Sequence, residues 1–84
     1  MDGSRLADIT RPASRDANPS RGLTRRERQV LQLVADGLAN RQIGQALYVS
    51  EDTVKTHIRH VLSKLGATSR ANAVAIGIRS RLIV

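Results

Sequence analysis

The chain has 84 residues, enough for one small domain. Its 14 Lys and Arg against 7 Asp and Glu give a net charge of +7, which favours a polyanionic partner, either nucleic acid or an anionic membrane surface. The absence of cysteine excludes disulfides, thiolate zinc sites and cysteine nucleophiles. The sequence contains neither an apolar run of the roughly 18 residues that a membrane span needs nor a secretory signal, so we expect a cytoplasmic protein.

Residues 1–22 show no sustained hydrophobic period, contain both prolines and have nearly balanced charge. This composition predicts a flexible tail or an interdomain linker. A basic arm that enters a DNA minor groove is the alternative, but the balanced charge favours the tail. Residues 23–84 are the predicted domain and carry most of the positive charge.

The first predicted helix begins after Thr24. Thr24 and Glu27 have the spacing of a capping box, in which each side chain satisfies a free amide of the first turn. Val30, Leu31 and Val34 then recur at helical spacing, and a glycine at position 37 marks the end of the helix.

A second, shorter helix is predicted over 41–47, with Asn40 as its cap. Gly44 lies in its middle, where glycine costs about 1 kcal/mol relative to alanine. Close approach of another helix would explain why glycine occurs there despite the cost. The alternative is that the glycine is a tolerated defect. Tyr48 and Val49 form the predicted turn that follows, and Ser50 is the predicted cap of the third helix.

The third helix, about 51–65, has two contrasting faces. At about 100° per residue, one stripe is apolar and must be buried; it comprises Val54, Ile58, Val61, Leu62 and Leu65. Thr56, Arg59 and Ser63 point the opposite way. A charged, hydrogen-bonding face on a helix held from behind fits a DNA major groove. With the preceding helix and turn, it predicts a helix-turn-helix.

A fourth helix is predicted over about 70–79, capped by Ser69 or Thr68. One of its faces carries small and branched residues, which we expect to form a dimer interface: Ala71, Val74, Ala75 and Ile78. Core packing against the first helix is the alternative for that face. The four short helices and their short connections predict an all-α fold, a compact four-helix bundle that contains a helix-turn-helix.

Two sequence features narrow the function further. Tyr48 is the only aromatic residue, which argues against stacking of single-stranded bases and leaves duplex DNA as the better nucleic-acid partner. His57 and His60 lie three residues apart, but no cysteine or suitably placed carboxylate completes a metal site. We find no nucleophile with an oriented base, so we expect neither an enzyme nor a bound metal or cofactor.

A set of landmark residues recurs along the predicted domain in a characteristic order and spacing: Leu23, Thr24, Arg26, Glu27, Gly37, Asn40, Ile43, Leu47, Ser50, Thr53, Val54, Lys55, His57, Lys64, Leu65 and Arg70. With these landmarks, residues 23 to about 82 resemble the LuxR/NarL/FixJ-type DNA-binding domain, the GerE-like helix-turn-helix module of bacterial transcription factors. Gly44 departs from the family pattern, which usually has alanine there, and Tyr48 precedes the usual apolar turn residue.

The resemblance implies a transcription regulator that binds double-stranded DNA as a homodimer. The third helix would enter the major groove and the fourth would form the dimer contact. Members usually carry an upstream receiver or small-ligand sensor domain, and the 84 residues include no such domain. We therefore expect either a stand-alone short regulator or the C-terminal piece of a longer protein. RNA polymerase is a further candidate partner.

Lys55, Thr56 and Arg59 occupy positions that touch base edges in similar domains. The helical wheel agrees independently for Thr56 and Arg59, whereas Lys55 lies nearer the apolar stripe and could instead follow the phosphates. Arg59 can form a bidentate pair with guanine O6 and N7. An ordinary solvated helix face is the alternative for all three.

A second group has side chains suited to DNA phosphates, which are bound by hydroxyls, by groups at helix N-termini and by long cations. Thr53 and Lys64 are the stronger candidates, while Asn40 and Ser50 could serve only as caps. The full group is Asn40, Arg41, Ser50, Thr53, His60 and Lys64.

Two other classes of function remain open at this point. The domain could dock on another regulator or on RNA polymerase through its basic face, in which case affinity for DNA would lack a steep salt dependence. It could also bind a membrane as a basic amphipathic protein, but the apolar stripes match a compact core, so we expect no membrane partner.

Overall fold

The computed structural model describes residues 22–84, and the tail predicted over 1–22 lies outside them except for Gly22. The described part contains four α-helices and no strand: α1 (Arg25–Ala35), α2 (Asn40–Leu47), α3 (Glu51–Leu65) and α4 (Arg70–Arg79). The predicted all-α class and helix-turn-helix are confirmed. Within residues 22–84, no helix has both the length and the apolar composition needed to cross a bilayer.

The capping box at the start of α1 forms as the spacing predicts. The Glu27 amide donates to Thr24 Oγ1 at 3.0 Å, and the Thr24 amide donates to Glu27 Oε1 at 2.9 Å. Ser50 caps α3 and Ser69 caps α4, each by accepting from the amide three residues later. Each of these three caps satisfies an amide that the helix itself leaves without a partner.

The prediction that Asn40 caps α2 is wrong. The N-cap residue is Ala39, and its amide donates to the side chain of Gln42 at 2.8 Å. Asn40 is the first residue of the helix, and its Oδ1 accepts from Arg70 Nη1 instead. A glutamine three residues into the helix replaces the cap that the sequence pattern assigned to Asn40.

The core lies between α3 and the other helices in two clusters. Val30, Ile43 and Val54 join α1, α2 and the first half of α3. The second cluster joins α1, α4 and the second half of α3; its buried members are Leu23, Leu31, Val61, Ala73 and Ile83. Because α3 contributes to both clusters, it is held along its length.

Gly44 allows the close contact between α2 and the start of α3. A Cβ built there would lie 2.7 Å from the Val49 carbonyl oxygen and 3.6 Å from the Glu51 amide nitrogen. The predicted close approach is therefore present, although the approaching atoms belong to the turn and the first residue of α3. Tyr48 at that turn has φ 60° and ψ 41°, a left-handed conformation that L-residues rarely adopt.

Candidate nucleic-acid interface

The outward face of α3 carries the cations that the sequence assigned to DNA. Lys55 and Arg59 are exposed and Thr56 is half-buried. Behind them, Val54 is fully buried and Val61 is 2% exposed, while Ile58, Leu62 and Leu65 pack partly against the core. The structure therefore places the predicted base-contacting residues together on the side of α3 that the core leaves free.

Side-chain hydrogen bonds cap the first turn of α3. Ser50 Oγ accepts from the Thr53 amide at 3.1 Å and donates to Thr53 Oγ1 at 2.9 Å. Glu51 and Asp52 lie in this turn, where the helix dipole favours negative charge. Ser50 therefore has a capping role, and its hydroxyl and that of Thr53 already bond to each other.

Two of the other predicted phosphate ligands are exposed. Arg41 lies on the outside of α2 and His60 on α3, where the His60 side chain is 55% exposed. By contrast, Asn40 accepts a hydrogen bond from Arg70, whose Nη2 also donates to the Leu38 carbonyl oxygen at 3.0 Å. Arg70 thus fastens the start of α4 to the connection between α1 and α2.

Lys64 points toward the protein. Its Nζ lies 2.8 Å from Oε1 of Glu27, a side chain only 4% exposed, and His60 Nδ1 lies 3.6 Å from Glu27 Oε2. Glu27 also accepts from the Thr24 amide. Burial raises the pKa of Glu27, but the hydrogen bonds from Lys64 and Thr24 and the Lys64 charge outweigh it and hold that pKa below its ordinary value.

The ion pairs within residues 22–84 both involve Glu27. Lys55 and Arg59 therefore have no acidic partner in the described part of the chain, and their charges face solvent. His57 is half-buried, and no group of three potential metal-binding side chains occurs among residues 22–84. Within residues 22–84, the outward face of α3 is thus positively charged and its cations have no acidic partner.

The sequence patterns did not predict the structural roles of Arg70 and Gln32. Arg70 entered only as a family landmark, although its two hydrogen bonds join segments about 30 residues apart. Gln32 forms a pair of hydrogen bonds with Val84, and the chain after α4 returns to bury Ile83 in the core. The apolar run at the end of the sequence was the available signal for this last contact.

An exposed cationic helix, held from behind and preceded by a short helix and a tight turn, defines a helix-turn-helix protein. Residues 21–76 match the family model described as bacterial regulatory proteins, luxR family. The chain belongs to this family.

The curated relatives are regulators of transcription, not enzymes. The chain is 52% identical over 58 residues to the transcriptional regulatory protein DegU of Brevibacillus brevis, a match that covers 69% of this chain and 25% of DegU. It is 40% identical over 73 residues to LiaR of Bacillus subtilis, covering 87% of this chain and 35% of LiaR. The chain thus spans about a quarter to a third of the length of these relatives.

Two solved structures share the fold. The transcription factor GerE superposes with a TM-score of 0.71 at 34% identity, covering 74% of this chain and 92% of that one. The response regulator ChrA of a heme-sensing two-component system superposes with a TM-score of 0.72 at 42% identity, covering 84% of this chain and 33% of ChrA. The four-helix arrangement is therefore that of a GerE-like domain.

Proposed function

We propose that this domain binds double-stranded DNA sequence-specifically with α3 in the major groove, as part of a bacterial transcription regulator. The observation that carries the proposal is the arrangement of α3: Arg59 and Lys55 are exposed and unpaired within residues 22–84, while a continuous apolar stripe fixes the helix from behind. Membership of a family of bacterial regulatory proteins supports it.

In this proposal Arg59, Lys55 and Thr56 read base edges. The Arg59 guanidinium suits guanine, and the Thr56 methyl or hydroxyl suits thymine or a neighbouring phosphate. Arg41, Thr53 and His60 contact phosphates on either side of the groove.

Asn40, Ser50 and Lys64 have the chemistry to join the phosphate contacts, but each has a hydrogen-bond partner inside the protein. Thr53 and His60 also have internal partners, Ser50 and Glu27, but the Thr53 hydroxyl can still donate a hydrogen bond and the His60 side chain is 55% exposed. A phosphate contact by Lys64 would draw its charge away from the buried Glu27 carboxylate. We therefore propose Lys64 mainly as a positioning residue that holds α3 against α1.

We further propose that two copies pair through α4, so that the two recognition helices meet half-sites about one helical turn apart in an inverted repeat. Of the four residues predicted for this interface, Ala71 and Ile78 are exposed and Ala75 is half-buried, which supports the availability of this face. Val74 is also half-buried but packs against the core. A receiver or sensor domain and RNA polymerase are proposed as further partners, since the similar proteins include longer response regulators.

The proposal is tested by selecting bound fragments from a random duplex library and measuring affinity for the selected sequence by fluorescence anisotropy. Arg59→Ala should cost about 1–3 kcal/mol and relax base preference at one position. Arg28→Ala is the matched control, because it removes the same charge from an exposed position on α1 and should leave affinity unchanged.

Salt dependence provides the second measurement. Affinity should fall steeply as salt rises, because each neutralised phosphate releases counterions. Binding that stays level with salt, or an Arg59→Ala variant that binds the selected sequence like the unaltered protein, would contradict the assignment of α3 to the groove.

A further inference from the structure

A groove runs along the outer side of α1, away from the proposed DNA face. Arg25, Arg28 and Gln29 are exposed along one edge, and Leu82 and Ile83 form the opposite wall. The groove is open to solvent and has a volume of about 260 Å³.

The wall formed by the chain after α4 is fixed in place. Gln32 Nε2 donates to the Val84 carbonyl oxygen, and the Val84 amide donates to Gln32 Oε1, each at 3.0 Å. Ile83 is only 5% exposed, so its side chain is anchored in the core while its edge lines the groove. The groove therefore has a preformed shape, which lowers the ordering cost of binding.

The groove and the cationic face of α3 look in opposite directions. At about 100° per residue, Arg25, Arg28 and Gln29 lie on the side of α1 opposite Glu27, and Glu27 is the residue that meets α3 through Lys64. The face of α3 that bears Arg59 points away from this contact. A partner in the groove would leave the α3 face free.

The charge of the groove selects the chemistry of its occupant. Neither Arg25 nor Arg28 forms an ion pair within the described residues. Asp36, an acid on the same side of the chain as Gln32, accepts a hydrogen bond from Gln32 at 3.1 Å and does not line the groove. The two guanidinium groups suit carboxylates, which they bind through paired hydrogen bonds, and Leu82 suits an aliphatic side chain beside them.

We propose that this groove docks an acidic segment of a partner protein, in which carboxylates meet Arg25 and Arg28 and an aliphatic neighbour packs on Leu82 and Ile83. A protein segment fits better than DNA, because the sugar-phosphate backbone carries no aliphatic side chain that could cover the apolar wall. The domain then holds an acidic protein on one side while the cationic face of α3 remains open on the other.

The test is a chemical-shift titration of the ¹⁵N-labelled protein with a synthetic peptide that alternates glutamate and leucine. Amide shifts should fall in residues 25–32 and 82–83 and leave the outward face of α3 unmoved. The double variant Arg25→Glu with Arg28→Glu should lose about tenfold or more in affinity for the peptide. Acidic residues in the first turn of a helix are favourable, so this variant should fold.

A matched control carries Arg79→Glu with Arg81→Glu, which makes the same change of net charge at two other exposed arginines. It should keep the peptide affinity of the unaltered protein to within about twofold, apart from long-range effects that salt screens. Equal losses in the two double variants would show a response to net charge alone and would overturn the proposal.

Two more ligands separate the sources of negative charge. A peptide that contains glutamate but no leucine should bind more weakly. Equal affinity for the two peptides would show that Leu82 and Ile83 do not contribute to binding. Random-sequence duplex DNA should shift amides of α3. If DNA instead shifts residues 25–32, and the Arg25→Glu with Arg28→Glu variant loses DNA and peptide binding equally, the occupant is phosphate and the protein-docking proposal fails.

Discussion

Lys64 Nζ lies 2.8 Å from Glu27 Oε1, and this contact joins the first turn of α1 to the last turn of α3. Glu27 also forms the capping box with Thr24. One buried carboxylate therefore caps the start of α1 and also binds the last turn of α3. The Lys64–Glu27 contact therefore adds to the core packing that holds α3, the helix that carries Arg59, against α1.

Lys64→Met should destabilise the domain by about 1–2 kcal/mol, a value reduced for the partial exposure of the lysine. The variant keeps the aliphatic stem but leaves the Glu27 carboxylate buried without its cation. Lys55→Met is the matched control, because it removes an exposed cation from the same helix and should change stability by less than about 0.5 kcal/mol. Urea denaturation followed by circular dichroism measures both.

A double-mutant cycle separates the ion pair from other effects of these changes. Glu27→Gln keeps an oxygen for the Thr24 amide but removes the buried charge. Adding Lys64→Met to Glu27→Gln should therefore cost much less than Lys64→Met alone. Additive losses would mean that the two residues do not depend on each other for stability.

Acidification should weaken the fold through Glu27. Its pKa is lower in the folded protein than in the unfolded chain, so its contribution to stability is complete above the ordinary glutamate pKa of about 4.5. That contribution declines as the pH falls below this value and is lost once the pH passes the folded-state pKa.

The measurement is the melting temperature as a function of pH for the unaltered protein and for Glu27→Gln. The difference between the two should shrink as the pH falls through this window, because the other carboxylates titrate in both proteins. A constant difference down to the most acidic pH at which both still fold would contradict the role of the Glu27 charge.

Local spacing predicted the parts of the fold that depend on neighbours in the chain. The capping box of Thr24 and Glu27 and the apolar stripe of α3 are set by residues three or four positions apart, and both are confirmed. Asn40 was assigned wrongly because its partner, Arg70, lies 30 positions away. The partner of Lys64 is 37 positions away and was equally invisible to helical spacing.

Gly44→Ala should destabilise the domain by about 1–3 kcal/mol, although alanine is normally the better helix former. The added Cβ would lie 2.7 Å from the Val49 carbonyl oxygen, so the turn before α3 would have to move. Ala46→Gly, at an exposed position of the same helix, is the comparison and should cost only the propensity difference of about 1 kcal/mol. Stabilisation by Gly44→Ala would show that the glycine is merely a tolerated defect.

Tyr48→Gly should stabilise the domain by up to about 1 kcal/mol. The residue has φ 60°, which is costly for an L-residue, and its side chain is almost fully solvated, since Tyr48 is 94% exposed. Tyr48→Ala is the control, because it removes the ring but keeps the backbone strain. If the Tyr48→Ala and Tyr48→Gly variants have the same melting temperature, the backbone strain at this turn does not limit the stability of the domain.

Ile78→Asp should abolish the proposed pairing through α4 without unfolding the domain, because Ile78 is 49% exposed. Ala73→Asp is the contrasting variant, since Ala73 is 2% exposed and a charge there should destroy the core. Val74 packs partly against the same core, so Val74→Asp should also lose the fold. Sedimentation equilibrium measures dimerisation and circular dichroism measures folding. A folded Ile78→Asp variant that still dimerises would show that the interface does not include this face of α4. An unfolded Ile78→Asp variant would show that Ile78 belongs to the core.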